Sequence, residues 1–220
     1  MKLLIFDFDG TLVDSLEIFI EATNCLAKKY GYSPIETSQI PQIRALSSRA
    51  LIQQIPVARW RLPFFLQGLR QEVSKLATQI QLFDGAKEAL TDLKNEGYCL
   101  GIVTSNAQST VENFLVTQDL NTLFDFVHAG RGLLGKAGTL RRLVKRYRLQ
   151  PSQVIYIGDE TRDIEAAQQV QIPSIAVSWG FNSRVVLEQQ QPDMIIDTPD
   201  DLLLAVQSCL VENASHFSHQ

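Results

Sequence analysis

Cysteine is scarce in this chain and poorly placed for cross-linking. Cys25, Cys99 and Cys209 are far apart and odd in number, which argues against a disulfide framework, and no pair has the C-x-x-C spacing of a metal site. They are expected to be buried thiols. There is also no apolar run long enough to span a bilayer. Acidic and basic residues nearly balance, 24 against 20, so no global field draws the chain to nucleic acid or to an anionic membrane surface, and neither is expected as a partner. The N-terminus begins as a strand and reaches an acid at Asp7, which leaves no room for a signal peptide and makes a cytoplasmic location the expectation. Without a secretory signal, the glycosylation pattern Asn213-Ala214-Ser215 is read as a chance match. Repeats and low-complexity segments are absent too. With 220 residues and 45% hydrophobic content, the chain has enough apolar material for one large domain, or for a core carrying a smaller one.

The most informative stretch is Leu3-Leu4-Ile5-Phe6-Asp7-Phe8-Asp9-Gly10-Thr11, an apolar run ending in two carboxylates two residues apart. In extended backbone, alternate side chains share a face, so Asp7 and Asp9 can project the same way while Phe8 points into the packing. Like charges so close resist joint ionisation unless a cation or a shared proton relieves them. Acids that merely end a strand at a turn are the plainer reading. Against it, Gly10 permits a tight bend, Thr11 supplies a hydroxyl, and the run before Asp7 reads as a strand buried on both faces, as in a parallel sheet.

Beyond Asp14 the periodicity becomes helical, with an apolar stripe through Leu16, Phe19, Ile20, Thr23, Leu26 and Ala27 that ends near Gly31. Pro34, Pro41, Pro56 and Pro63 punctuate the next segments, and a second stripe runs through Phe65, Leu69, Val73 and Leu76. From Asp84 onward, helical and strand patterns alternate. Strands are expected near 98–104, 124–128, 154–158, 174–178 and 194–196, with helices between them. Such alternation marks a parallel sheet covered by helices. Residues 1–15 and 81–220 are therefore assigned to an α/β core and residues 16–80 to an inserted helical unit.

In open parallel sheets, ligands bind beyond the carboxyl ends of the strands. Polar groups gather at those ends here: Thr104-Ser105-Asn106 after one strand, Gly158-Asp159-Glu160-Thr161-Arg162-Asp163 after another, and Gly130-Arg131-Gly132-Leu133-Leu134-Gly135-Lys136 between them. Singly, each has an ordinary structural explanation. Thr104, Ser105 or Asn106 suits a helix cap, Lys136 a solvated surface, and Asp159 with Asp163 an acidic first helical turn. Their joint placement argues for convergence on Asp7 and Asp9.

In order along the chain, Asp7-Phe8-Asp9-Gly10-Thr11, Thr104, Lys136 and Gly158-Asp159-x-x-x-Asp163 resemble the four motifs of the haloacid dehalogenase-like hydrolase superfamily. Val177-Ser178-Trp179-Gly180-Phe181 is similar to segments of its phosphoglycolate-phosphatase-like members. The resemblance implies a Rossmann-like parallel sheet flanked by helices, with an inserted small α-helical cap. It implies a Mg²⁺-dependent phosphatase acting on a small phosphorylated metabolite. Asp7 would be the nucleophile that becomes an aspartyl-phosphate, and Asp9 the general acid and then base. Thr104, Ser105, Asn106 and Lys136 would hold the phosphate, while Asp7, the Asp9 carbonyl, Asp159 and, as a weaker candidate, Asp163 would hold the metal.

Other functions use similar groups. A phosphomutase would keep both aspartates but return the phosphoryl group to a second hydroxyl. A haloacid dehalogenase has no leaving oxygen to protonate and so no use for Asp9. A non-enzymatic phospho-receiver would carry its acceptor on a later strand. The insert carries eight basic residues against four acidic ones, and one expectation is that Arg44 or Arg49 faces the cleft to meet an anionic part of the substrate. A solvated basic face is the alternative.

Overall fold

The N-terminal apolar run becomes the centre of a six-stranded sheet. A computed structural model describes residues 1–130 and 135–217, with side chains through 211. In it β1 (Leu3–Phe6) lies between β4 (Cys99–Thr104) and β6 (Val154–Gly158). With β5 (Phe126–Ala129), β7 (Ser174–Val177) and β8 (Met194–Ile196), the order is β5-β4-β1-β6-β7-β8, and every paired strand runs parallel. This is the expected Rossmann-like α/β architecture. The chain builds outward from β1 through β4 and β5, then crosses back to β6 on the other side. That reversal opens a crevice at the carboxyl end of β1.

Alternation along β1 feeds both faces. Leu4 and Phe6 join Leu90 and Leu93 of α5 (Ala86–Asn95), Leu115 of α6 (Gln108–Thr117) and Val206 of α10 (Leu202–Phe217). Leu3 and Ile5 join Leu140 and Leu143 of α7 (Lys136–Arg146) and Ala166 and Ala167 of α8 (Thr161–Val170). Each fully buried Leu or Ile contributes roughly 1.5–3 kcal/mol, so β1 is anchored from both sides before it reaches Asp7.

Between β1 and β4 the chain is mainly helical. It leaves through β2 (Val13–Asp14) and returns through β3 (Gln81–Leu82), which pair antiparallel. Four α-helices lie between: α1 (Leu16–Tyr30), α2 (Ile40–Arg44), α3 (Ser48–Gln54) and α4 (Leu62–Leu76). Pro41 and Pro63 sit in the first turns of α2 and α4, where the missing N–H has no helical acceptor to lose. Helices α1 and α4 pack through Leu26, Tyr30 and Phe65, with the Tyr30 and Phe65 rings edge-on at 5.2 Å and the Arg61 guanidinium 4.8 Å from the Tyr30 ring centre.

Two expectations need correction. The buried face of α1 is Ile18, Ala22, Leu26, Ala27 and Tyr30, so the expected stripe holds at Leu26 and Ala27, whereas Leu16, Phe19, Ile20 and Thr23 are only half-buried. Helix α1 meets the sheet-side core through Ile18 and Ala22 and meets α4 lower down, so two partners rotate the buried face away from a single stripe. Nor are the thiols all buried. Cys25 is exposed on the outer side of α1, Cys99 is half-buried where β4 begins, and only Cys209 is buried. Among the described residues, no helix is long and apolar enough to cross a membrane.

Candidate active site

Asp7 follows directly from β1, its backbone N–H donating to Ile157 O at 2.9 Å so that it stays in register with β6. The chain then turns. Gly10, at φ +73°, is in the left-handed region, and a Cβ there would lie 2.1 Å from Asp159 Oδ2. Both conformation and space therefore require glycine. The Gly10 N–H donates to Val13 O, and the Leu12 and Val13 N–H groups donate to Phe8 O. This closes the loop and brings Asp9 and Thr11 back over the strand ends.

The polar groups expected at these ends largely converge. Lys136, at the start of α7, forms close ion pairs with both Asp7 and Asp163. Asn106 donates from Nδ2 to Asp9 Oδ2 at 2.8 Å, and its backbone N–H donates to Thr104 Oγ1 at 3.1 Å. The Thr104 hydroxyl thus accepts from the backbone and keeps its own proton free to donate. Ser105 is half-buried but makes no hydrogen bond to this cluster. Thr11 Oγ1 donates to Asp159 Oδ1 at 2.8 Å, and the Phe181 N–H donates to Asp159 Oδ2 at 2.7 Å. Asp163 is fully engaged: Oδ1 accepts from Lys136 and from Tyr156 OH at 3.3 Å, and Oδ2 from the Glu160 N–H at 3.1 Å. Glu160 and Asp163 form the capping box of α8. Of the segment 130–136, residues 131–134 lie outside the described residues.

Electrostatically the site is crowded. Asp7, Asp9, Asp159, Glu160 and Asp163 are all buried, facing Lys136 and the largely covered Arg162, which pairs with Glu160. Burial raises the Asp7 carboxyl to about 6, against the lowering pull of Lys136 and with a further push from Asp163. Burial, then the Asp7 charge, raises Asp9 to about 7. Asp159 is pushed well above the ordinary carboxylate range by burial and by Glu160, Asp163 and Asp7. Burial pulls Lys136 down, but Asp163 and Asp7 more than offset it, so it titrates above an ordinary lysine. Among the described residues, no hydrogen-bond partner reaches the buried Asp9 Oδ1. Ligand oxygens of Asp7, Asp159 and Asp163 lie within 4.8 Å of one another. Hard oxygen donors, crowded and short of positive charge, suit a hard divalent cation.

Arg44 and Arg49 part ways. Arg49 is largely exposed and reaches Glu165 of α8 at 3.8 Å, on the outside. Arg44 donates from Nη2 to Ser178 O at 3.0 Å, and its own carbonyl accepts from the Ser183 N–H at 2.8 Å. It fastens the insert to the loop after β7. Residues around the site that sequence reasoning missed are Tyr156, Ser48 and Asn182. Ser48 donates from Oγ to Glu160 Oε2 at 2.8 Å, a contact between residues 112 positions apart with no local sequence signal.

Comparison with known proteins bears on the family and the fold. Residues 4–177 match the model of a family described as haloacid dehalogenase-like hydrolase. The chain is 42% identical over 206 residues to the phosphoglycolate phosphatase of Synechococcus elongatus, covering 94% of this chain and 97% of that protein. Among solved structures, a haloacid dehalogenase-like family hydrolase from Streptococcus pneumoniae superposes with a TM-score of 0.80 at 25% identity, covering 93% of this chain and 98% of the other. A predicted phosphatase from Clostridium acetobutylicum gives 0.82 at 22% identity, covering 94% and 98%, and supports the fold. With that match along most of its length, the chain belongs to the haloacid dehalogenase-like hydrolase family.

Proposed function

We propose that the protein is a Mg²⁺-dependent phosphatase that hydrolyses a small phosphomonoester, with phosphoglycolate the first substrate to test. The observation that carries the proposal is the unequal treatment of two neighbouring acids: Asp7 is ion-paired with Lys136, whereas Asp9 accepts from the neutral amide of Asn106 and, among the described residues, forms no ion pair. One acid is held anionic and the other can carry a proton. The similarity to the Synechococcus elongatus enzyme supports the substrate class.

In the first half-reaction, an Asp7 carboxylate oxygen attacks phosphorus and the bond from phosphorus to the ester oxygen breaks. Asp9 gives its proton to the departing oxygen. In the second, water attacks the aspartyl-phosphate, Asp9 takes the water's proton, and phosphate leaves with Asp7 regenerated. With its carboxyl raised to about 7, Asp9 changes protonation state readily near neutrality, as both roles require. The Thr104 hydroxyl and the Lys136 ammonium are donors for the non-bridging oxygens of the phosphoryl group. Asp163, its oxygens already engaged, keeps Lys136 directed at Asp7. A divalent ion held by Asp7, Asp159 and the Asp9 carbonyl would supply the charge that offsets repulsion between these acids and a phosphate dianion. The helical insert, residues 16–80, would cover the crevice and supply substrate contacts.

The test is release of inorganic phosphate from an aryl phosphate and from phosphoglycolate, with Mg²⁺ and with a chelator. Wild type should release phosphate only with the metal, and Asp7→Asn should not release it at all. Isomerisation of a sugar phosphate without net phosphate release would replace this reading with a mutase.

A further inference from the structure

The loop from Gly180 to Asn182, after β7, has two sides. Its backbone faces the acid cluster. The Phe181 N–H donates to Asp159 Oδ2 at 2.7 Å, and the Asn182 N–H donates to the Asp159 carbonyl at 3.3 Å. Gly180 fits so tightly that a Cβ would lie 2.2 Å from Gly10 O and 2.4 Å from the Asp159 side chain. The loop therefore cannot shift without moving Asp159 or the turn that carries Asp9.

Its side chains face the helical insert. The Phe181 ring meets Phe19 of α1 edge-on, with centroids 5.3 Å apart. Asn182, only 3% exposed, donates from Nδ2 to Leu46 O at 2.8 Å and accepts the Thr161 N–H at Oδ1 at 2.9 Å. One buried carboxamide thus joins the insert, the first turn of α8 and, through its own backbone, Asp159. Its side-chain oxygen, its side-chain nitrogen and its backbone N–H each meet a different segment. A buried network of this kind fixes geometry because any partial arrangement leaves a polar group unpaired.

We propose that Asn182 is a positioning residue that couples the seating of the helical insert to the orientation of the Asp159 carboxylate. Asn182 touches no reacting group. Seated on Leu46, it holds Phe181 where its N–H meets Asp159 Oδ2, leaving the carboxylate's remaining lone pairs directed toward Asp7. When the insert lifts, the Leu46 contact is lost and the loop is released on one side. The inference rests on the reading of Asp159 as a metal-holding acid, and the experiment separates the two.

Mg²⁺ is titrated into the metal-free protein by calorimetry, with the Mg²⁺-induced shift in thermal midpoint as a second readout. Wild type, Asp159→Asn, Asn182→Ala and Ser48→Ala are compared. Asp159→Asn should lose the binding. Asn182→Ala should weaken it about tenfold, the scale of one buried hydrogen bond. Ser48→Ala removes the insert's buried bond to Glu160, which does not pass through this loop, while the Ser48 N–H stays on Thr161 Oγ1, and it should weaken binding less than about twofold. Unaltered binding in Asp159→Asn would remove the metal role of Asp159 itself. Lost binding in Asp159→Asn, with wild-type affinity in Asn182→Ala or equal weakening in Ser48→Ala, would leave the metal site standing and overturn the role of Asn182. A purely structural role would lower the metal-free thermal midpoint without changing affinity. If Asn182→Ala does not fold, Phe19→Leu removes the ring contact to the same loop. It should then weaken Mg²⁺ binding at least threefold, and unaltered affinity there would overturn the coupling.

Discussion

The carboxyl end of β1 and the helical insert above it are built on different principles. Around Asp7, both neighbouring strands, the Gly10 turn and two helix starts hold most of the polar groups, and five carboxyl groups are buried together. The insert has its own small cluster of Leu26, Tyr30 and Phe65, joins the sheet-side core through Ile18, Ala22 and Val73, and meets the strand-end loops through the Phe19–Phe181 ring contact and single polar contacts from Arg44, Leu46 and Ser48. The acid cluster is thus held by a dense polar network, whereas few hydrogen bonds join the insert to the loops around it. Substitutions should be far more costly on the first side than on the second.

The largest expected effect is on turnover. Asp7→Asn should lower kcat by at least about 10³-fold, and Asp9→Asn by about 10²–10⁴-fold, measured as phosphate release at saturating Mg²⁺. Next is Lys136→Met, which leaves Asp7 and Asp163 buried without their cation. It should cost about 3–5 kcal/mol in urea unfolding at neutral pH, and a loss below 1 kcal/mol would mean the acids are not ionised together.

The acid cluster should also set a pH dependence. Asp7 and Asp9 titrate at about 6 and about 7 in the folded protein, above the unfolded value of about 3.9. Their folded forms therefore hold protons more tightly. Metal-free stability should be full below pH 4 on their account and fall as pH rises through 6 to 7. Added Mg²⁺ should raise the thermal midpoint more at pH 8 than at pH 5.5, and an equal shift at both would separate the metal from these carboxylates.

On the insert side, Ser48→Ala should cost about 1 kcal/mol through the lost bond to Glu160. The smallest effect belongs to Arg49→Ala. Its partner Glu165 is 3.8 Å away and the arginine side chain is 77% exposed, so stability should change by less than about 0.5 kcal/mol. A large loss there would show the insert to be held as firmly as the sheet.

The same contrast explains what the sequence reveals. The architecture is legible because strand ends in a parallel sheet fall together, so acids after β1 and β6, a threonine after β4 and a lysine opening α7 must lie near one another. Topology brings Lys136 to the same end of the sheet as Asp7, the resemblance gives the two their roles, and the ion pair itself is seen in the structure. The insert is legible only as helices. The buried face of α1 was displaced because two different surfaces pack on it, which a single periodic stripe cannot encode. Asn182 and Ser48 left no trace, since each acts through hydrogen bonds to segments distant in the chain. Arg44 and Arg49 look alike in sequence, yet one is stapled to Ser178 and the other points outward.

Everything proposed for this site turns on Asp7 receiving the phosphoryl group. Acid quenching of the protein during turnover of a ³²P-labelled phosphomonoester with Mg²⁺, followed by peptide mapping, tests it. Hydroxylamine-labile label should appear on Asp7 in wild type and on no peptide of Asp7→Asn. Label retained in Asp7→Asn, or found on another residue of the wild-type protein, would contradict it.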